Sequence, residues 1–358
     1  MISKNTEYIP RLDHLRFAAA ALVVAYHFAY GSIPADTRNP ILLVIKQGYN
    51  GVSLFMVLSG FILTRICLHK EIDYRSFLFN RLLRIYPLYI LIVFAAASSG
   101  GRSMGFGSFI ALTSLMGNFA GIMPPRFPHI WTIMVEFQFY LVFPFLVRFF
   151  SRYGFPYIAG VVAIALLLRI VIFLSEGSAQ ETAYWTILGR CDQFAIGMAA
   201  AAIHLRWQSS LSNPIWLATS CAVFVGWVFA FESWCGGYYG QGSPHSPSVA
   251  WVLGPTLEAL VHAALMLAYL QQQWRVPRVL DRALAYLGTI SYSTYIWQLP
   301  IIVLFHKYFP DGPLGSIWAN LFLIVLPTIV IVSSLSYAIV EKPFFMLRSV
   351  YAYKPLST

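Results

Sequence analysis

Apolar stretches long enough to cross a bilayer recur ten times between Phe17 and Val340, and this repetition constrains the fold more than any other feature of the chain. A helix rises 1.5 Å per residue, so a hydrocarbon core about 30 Å thick needs roughly 17–25 predominantly apolar residues. The expected spans are 15–31, 50–68, 85–99, 130–149, 156–174, 186–204, 215–231, 251–270, 284–305 and 317–340, the third being short. Backbone polar groups must be satisfied inside hydrocarbon, and no segment shows the alternation of an outer-membrane barrel, so the spans are expected to be helices. The predicted fold class is an all-α integral membrane protein, a bundle of about ten transmembrane helices. Composition agrees: 58% of the 358 residues are hydrophobic and 11% charged, where a soluble domain carries about 25% charged residues.

A formal charge of +10 could suggest nucleic acid, but in a membrane protein the placement of Lys and Arg between the loops is what matters. With the N-terminus inside, 17 of the 24 basic residues fall on the cytoplasmic side, leaving Arg38, Lys46, Arg102, Arg126, Arg169, Arg190 and Lys307. Both termini are therefore expected in the cytoplasm, in a multi-pass protein of the cell membrane, a bacterial inner membrane, with no nucleic-acid partner. The first span is read as retained, because Arg16 and His27 bracket it and no small-residue cleavage site follows. The Gly- and Pro-rich loops 100–129 and 232–250 should lie outside. Cys67, Cys191, Cys221 and Cys235 lack metal-ligand spacing and read as packing residues, so no metal is expected. Residues 1–358 read as a single membrane domain, since no loop exceeds about thirty residues, short of an ordinary domain.

Ionisable groups inside a span cost several kcal/mol unless paired or hydrated, so each marks a functional hypothesis. Arg16 and His27 lie eleven positions apart, which returns to nearly the same helix face after a rise of about 16.5 Å. Arg81 and Arg84 are three apart at a membrane boundary, and two guanidinium forks there suit phosphoryl oxygens, although boundary arginines also set topology. Thr132, Glu136 and Tyr140 share a face, with no basic residue within four positions of Glu136. Glu136 must find a partner on another helix or be protonated. Helices one and four run in opposite directions, which puts His27 and Glu136 at similar depth, and Gln298 joins that layer. Pro300 should loosen the ladder near Gln298, while Tyr292 and Tyr295 are expected to be interfacial anchors or added hydroxyls.

These residues resemble the membrane acyltransferase-3 family, in which a basic residue and a His are separated by ten residues, as Arg16 and His27 are. The resemblance includes Leu12 to Arg16, Gly51 to Leu63, Arg81 to Tyr89, Trp131 to Tyr140, Ile290 to Tyr295 and the closing Glu341-Lys342-Pro343-Phe344, so that it covers 12–344. Two positions depart from it: Met56 replaces a usual aromatic, and Gln298 stands where many members have His. No hydrolase-like domain is expected after Phe344.

The resemblance implies transfer of an acyl group, commonly acetyl, from acyl-coenzyme A to a carbohydrate hydroxyl. Arg16, Arg81 and Arg84 would hold the donor phosphates on the cytoplasmic side while the pantetheine arm reaches toward His27. His27 would be the general base, with Glu136 orienting its ring or contacting the acceptor, a polysaccharide, O-antigen or lipid-linked glycan. Ser59 is rejected as a covalent nucleophile, because Ser59-Gly60 lies in mid-helix, where small residues serve packing, and no base is assigned beside it. A multi-pass transporter or flippase using buried His and Glu is the alternative reading, and a lipid-binding sensor a third.

Overall fold

The computed structural model describes residues 8–99, 105–119, 121–123, 127–207, 211–235 and 249–353. The expected loop charges Lys4, Arg102, Arg126 and Lys354 lie outside them. In chain order the helices are α1 (Pro10–Ala29), α2 (Pro40–Lys46), α3 (Asn50–Cys67), α4 (Tyr74–Ser99), α5 (Phe106–Thr113), α6 (Trp131–Tyr153), α7 (Phe155–Glu176), α8 (Gln180–Trp185), α9 (Ile187–Arg206), α10 (Pro214–Cys235), α11 (Ala250–Leu270), α12 (Arg278–Thr289) and α13 (Ser291–Tyr308). A last helix runs through α14 (Ile317–Asn320), α15 (Leu326–Ser336) and α16 (Lys342–Phe345), joined by π-helical turns at Leu321–Val325 and Tyr337–Glu341. The strands β1 (Glu71–Ile72) and β2 (Ala352–Tyr353) pair antiparallel and tie the loop after α3 to the segment beyond α16.

Every expected span falls on a helix, but the count of about ten is not reached on length and apolarity. Among the described residues seven helices pass that criterion, or eight if α12 and α13 form one bent span. Neither α1 nor α9 passes it. They carry Arg11, Asp13 and Arg16, and Arg190, Asp192 and Arg206, and helices screened by neighbours need not be apolar all round. The gradient is steep: α7, with mean hydropathy 2.7, is 17% buried, whereas α3, at 1.5, is 78% buried. Outer helices therefore supply the apolar coat, and α3 lies at the centre with the polar residues.

Two close approaches fix that centre. A Cβ on Gly60 of α3 would strike the Phe194 carbonyl of α9, and one on Gly197 of α9 would strike the Val57 carbonyl of α3. The two helices meet backbone to backbone through small residues, as the reading of Ser59-Gly60 anticipates. Gly197→Val should therefore lower the stability of the purified protein by the upper end of the roughly 1–3 kcal/mol that overpacking costs, because backbone cannot yield. Thermal unfolding in detergent measures it; a variant as stable as the parent would show that the two helices can part.

The chain bends at Ile290, where α12 and α13 meet at 67°, while α13 continues as a helix through Pro300, where a loosened ladder is expected. Gly288 sits against the backbone of Asp13, so α12 must cross the start of α1 before the chain can turn into the bundle. Arg169 and Arg190, sorted among the outer charges, are instead buried between helices, Arg169 bonded to Asp192 at 2.5 Å. The charge rule counts loop residues, and these two are not in loops. The stretch between the expected spans 50–68 and 85–99 holds the start of α4, capped by Asp73, whose carboxylate accepts from Ser76 Oγ at 2.5 Å and the Arg75 N–H at 3.2 Å. The Ser76 hydroxyl, with the neighbouring backbone donors, holds that carboxyl below the usual range.

Candidate functional site

Three adjoining chambers follow α1 from its N-terminal end toward its C-terminal end. The entrance chamber is lined by Asp13, Arg16, Arg65, Arg84, Glu341 and Arg348, among others. The central chamber is lined by Arg16, Arg81, Arg84, Ser59, Glu136 and Tyr140, with Tyr292 and Tyr295. The third chamber, toward the C-terminal end of α1, is lined by His27, Tyr26, Tyr49, His129, Trp131 and Tyr184. Arg16, Ile62, Arg84 and Tyr292 belong to both of the first two chambers, and Val52 and Tyr295 to both of the last two. Continuity of α1 over Pro10–Ala29 produces this order, with Arg16 near one end and His27 near the other.

The three sequence-predicted arginines converge on the central chamber, each in a different setting. Arg16 pairs with Asp13 one turn earlier at 3.1 Å, and Asp13 also accepts from the Tyr8 hydroxyl at 2.8 Å. Arg81 lies among rings, 5.6 Å from Phe77, 5.8 Å from Tyr140 and 5.6 Å from Tyr351. Such faces favour a cation electrostatically without neutralising it. Arg84 makes no ion pair among the described residues, and Arg16 and Arg81 are its like-charged neighbours. A guanidinium set with so little compensation is a place for anionic oxygens.

Glu136 finds its partner on another helix: Ser59 Oγ of α3 donates to it at 2.8 Å, and the Tyr140 hydroxyl donates to the same oxygen. A carboxylate therefore does stand beside Ser59, a pairing between helices that spacing along one helix cannot reveal. His27 binds elsewhere. Its Nδ1 lies 3.4 Å from Oε1 of the fully buried Gln298, with the Tyr26 ring at 5.1 Å. Similar depth thus brings His27 and Glu136 into adjoining chambers, and the side chain hydrogen-bonded to the imidazole is Gln298.

Tyr292 and Tyr295 are interior residues. Their hydroxyls donate to the Ile85 carbonyl at 2.6 Å and the His129 carbonyl at 2.8 Å, joining α13 to α4 and to the turn before α6. Ser293 donates to Glu341, so the Ile290–Tyr295 segment also meets the closing Glu-Lys-Pro-Phe segment. The π-helical turn at Tyr337–Glu341 carries Glu341 to that contact, and such turns recur at functional sites. His129 was missed in the sequence. It is 4% exposed, with Nε2 3.0 Å from the Ile296 carbonyl, and it precedes α6 in what reads as the end of a loop. Arg65 and Arg348 figure in the sequence reading only among the 17 basic residues assigned to the cytoplasmic side. Among the described residues no group of three His, Cys, Asp or Glu could hold a metal.

With this geometry in view, comparison with known proteins is specific. The acyltransferase-3 family model, described as an acyltransferase domain, matches residues 9–338. The Listeria monocytogenes peptidoglycan O-acetyltransferase OatA is 24% identical over 374 residues, covering 95% of this chain and 56% of OatA. The Bacillus subtilis protein YrhL, named as a candidate peptidoglycan O-acetyltransferase, is 25% identical over 382 residues, covering 95% of this chain and 55% of YrhL. A candidate O-acetyltransferase of Staphylococcus aureus, SACOL0978, is 25% identical over 379 residues, covering 95% and 58%. The chain thus spans a little over half the length of these relatives. No solved structure matches it.

Proposed function

This chain belongs to the acyltransferase-3 family, and from that premise we propose that it is a multi-pass membrane O-acyltransferase, moving an acyl group, acetyl first, from cytoplasmic acyl-coenzyme A to a carbohydrate hydroxyl across the membrane. Relatives named for peptidoglycan O-acetylation support a carbohydrate acceptor, and a polysaccharide, O-antigen or lipid-linked glycan offers the same hydroxyl chemistry. The observation that carries the reading is the order of the chambers: arginines line one end of the passage and His27 lines the other.

In this reading Arg16, Arg81 and Arg84 hold donor phosphates, and the pantetheine arm covers the roughly 16.5 Å of helix rise that separates Arg16 from His27. Gln298 accepts from Nδ1–H of His27, which leaves Nε2 to take a proton. The acceptor hydroxyl attacks the thioester carbonyl as His27 removes its proton; the C–O bond forms, the C–S bond breaks, and the departing thiolate receives the proton from the imidazolium. Glu136 has the electrostatic part. Its carboxylate, held by Ser59 and Tyr140 one chamber inward, favours the transient positive charge on His27 without touching it.

Donor binding separates this from the transporter reading. The double substitution Arg81→Gln, Arg84→Gln should raise the Kd of purified protein for acetyl-coenzyme A by at least about a hundredfold, since each lost charged hydrogen bond costs about 1.5–3 kcal/mol. Unchanged affinity in a well-folded double variant would assign those arginines to topology alone, and a parent protein that binds no acyl-coenzyme A would end the acyltransferase reading.

A further inference from the structure

The entrance chamber has more positive charge than the donor reading has used. Arg65 of α3 and Arg348, beyond α16, line it together with Arg16 and Arg84, while Asp13 and Glu341 are its acidic groups. Both carboxylates are engaged, Asp13 by Arg16 and Tyr8 and Glu341 by Ser293. Arg348 has no ion pair among the described residues. Its Nε and Nη2 are buried without a hydrogen-bond partner, and its guanidinium stacks on the Phe345 ring, 3.5 Å from the centroid. Burial, with Arg84 and Arg81 nearby, pushes the Arg348 guanidinium down to about 9. Stacking fixes the fork while leaving N–H groups unspent, an arrangement that suits a multiply charged oxyanion.

We propose that Arg348, with Arg65, forms a subsite for a terminal phosphomonoester: the 3′-phosphate on the ribose of the acyl-coenzyme A donor. The assignment rests on the donor reading above and deepens it. Arg16 and Arg84 belong to both the entrance and the central chamber, so they meet the pyrophosphate where the pantetheine arm starts inward. Arg348 and Arg65 line only the entrance chamber, on the side where the nucleotide must lie. A phosphomonoester carries nearly two charges at neutral pH, and each diester phosphate of the bridge carries one, so the pair of arginines outside the cleft fits the more highly charged group. Tyr8 and Tyr337 also line this chamber and offer rings on which a nucleotide base could stack. The subsite would let the protein distinguish coenzyme A thioesters from pantetheine carriers that lack the nucleotide.

The chemistry of a phosphomonoester is shared by phosphatidic acid, so the experiment includes both. Binding of acetyl-coenzyme A and of 3′-dephospho-acetyl-coenzyme A is measured on purified full-length protein in neutral detergent, for the parent, Arg348→Gln and Arg348→Lys. The parent should prefer acetyl-coenzyme A by roughly 10- to 100-fold. Arg348→Gln should erase the preference by weakening acetyl-coenzyme A toward the value for the dephospho donor, and Arg348→Lys should restore part of it. Adenosine 3′,5′-bisphosphate should compete with the donor for the parent and poorly for Arg348→Gln. Equal affinity of the parent for the two donors would overturn the subsite while leaving the acyltransferase reading intact; failure of the parent to bind either donor would overturn that reading instead. A donor preference retained in Arg348→Gln, with loss of phosphatidic acid binding in nanodiscs, would give the site to a lipid headgroup and also overturn the proposal.

Discussion

His27→Ala is expected to lower acyl transfer by about 10²–10⁴ while leaving insertion and donor affinity near those of the parent. Only the proton-transfer step loses its partner, because the arginines that would hold the donor line other chambers. Substitutions around His27 sharpen the test. Gln298→Leu removes the side-chain acceptor on Nδ1 and leaves the ring only its backbone hydrogen bond to Val23, so the imidazole is held less firmly and turnover should fall about tenfold, the equivalent of one ordinary hydrogen bond. Glu136→Gln keeps the shape but not the charge, and its effect should be largely absent in a His27→Ala background, since there is then no imidazolium to favour. Turnover of purified, folded variants with acetyl-coenzyme A and an acceptor glycan decides it. Near-parental transfer by His27→Ala would remove His27 from the mechanism, and full additivity of the His27 and Glu136 substitutions would detach Glu136 from it.

What was legible in the sequence was whatever a single helix states about itself. The apolar spans located the helices, and the spacing of Arg16 and His27 placed both along α1, on opposite ends of one passage. The three arginines also met, because Arg81 and Arg84 share a helix face and Arg16 lies at the same end of the bundle. What was not legible depended on which face met which helix. Nothing along α6 names Ser59 as the partner of Glu136, and nothing along α1 names Gln298 rather than Glu136 as the neighbour of His27.

Polar residues near helix ends misled in a consistent direction. Tyr292, Tyr295 and His129 all lie where an interface or loop is expected, and each is turned inward to a backbone carbonyl. The sharp bend in this segment lies at Ile290, ten residues before Pro300, because α12 crosses Asp13. Arg169 and Arg190 were read as outer charges because a residue counted near a span end is assigned to a loop, whereas both reach inward across neighbouring helices. In each case a tertiary contact, absent from any local window, decided the outcome.

Those two arginines support the largest stability effect expected in the protein. Arg169 of α7 and Asp192 of α9 are fully buried, paired at 2.5 Å, and Thr256 of α11 bonds to both partners. Beside them Arg190 donates to Ser53 at 2.8 Å and to Gln193 at 3.0 Å, and Ser53 donates to Glu258 at 2.6 Å, so α3, α9 and α11 are held by one polar network. Arg169→Met should destabilise the bundle by about 3–5 kcal/mol, because it leaves the Asp192 charge buried with no counter-ion; Asp192→Leu should cost a similar amount by stranding Arg169. The double variant Arg169→Met, Asp192→Leu should recover most of that loss, since packed apolar side chains commonly replace a buried pair at little net cost, and the Thr256 hydroxyl can turn to a carbonyl of its own helix. Thermal unfolding of the detergent-solubilised protein reads all three. Because α3 also carries Ser59, the single variants should lose transfer activity in step with stability, and the double variant should regain both. A double variant no more stable than either single one would mean that the charges do more than compensate each other, and that the pair itself sets how α3 sits against α9.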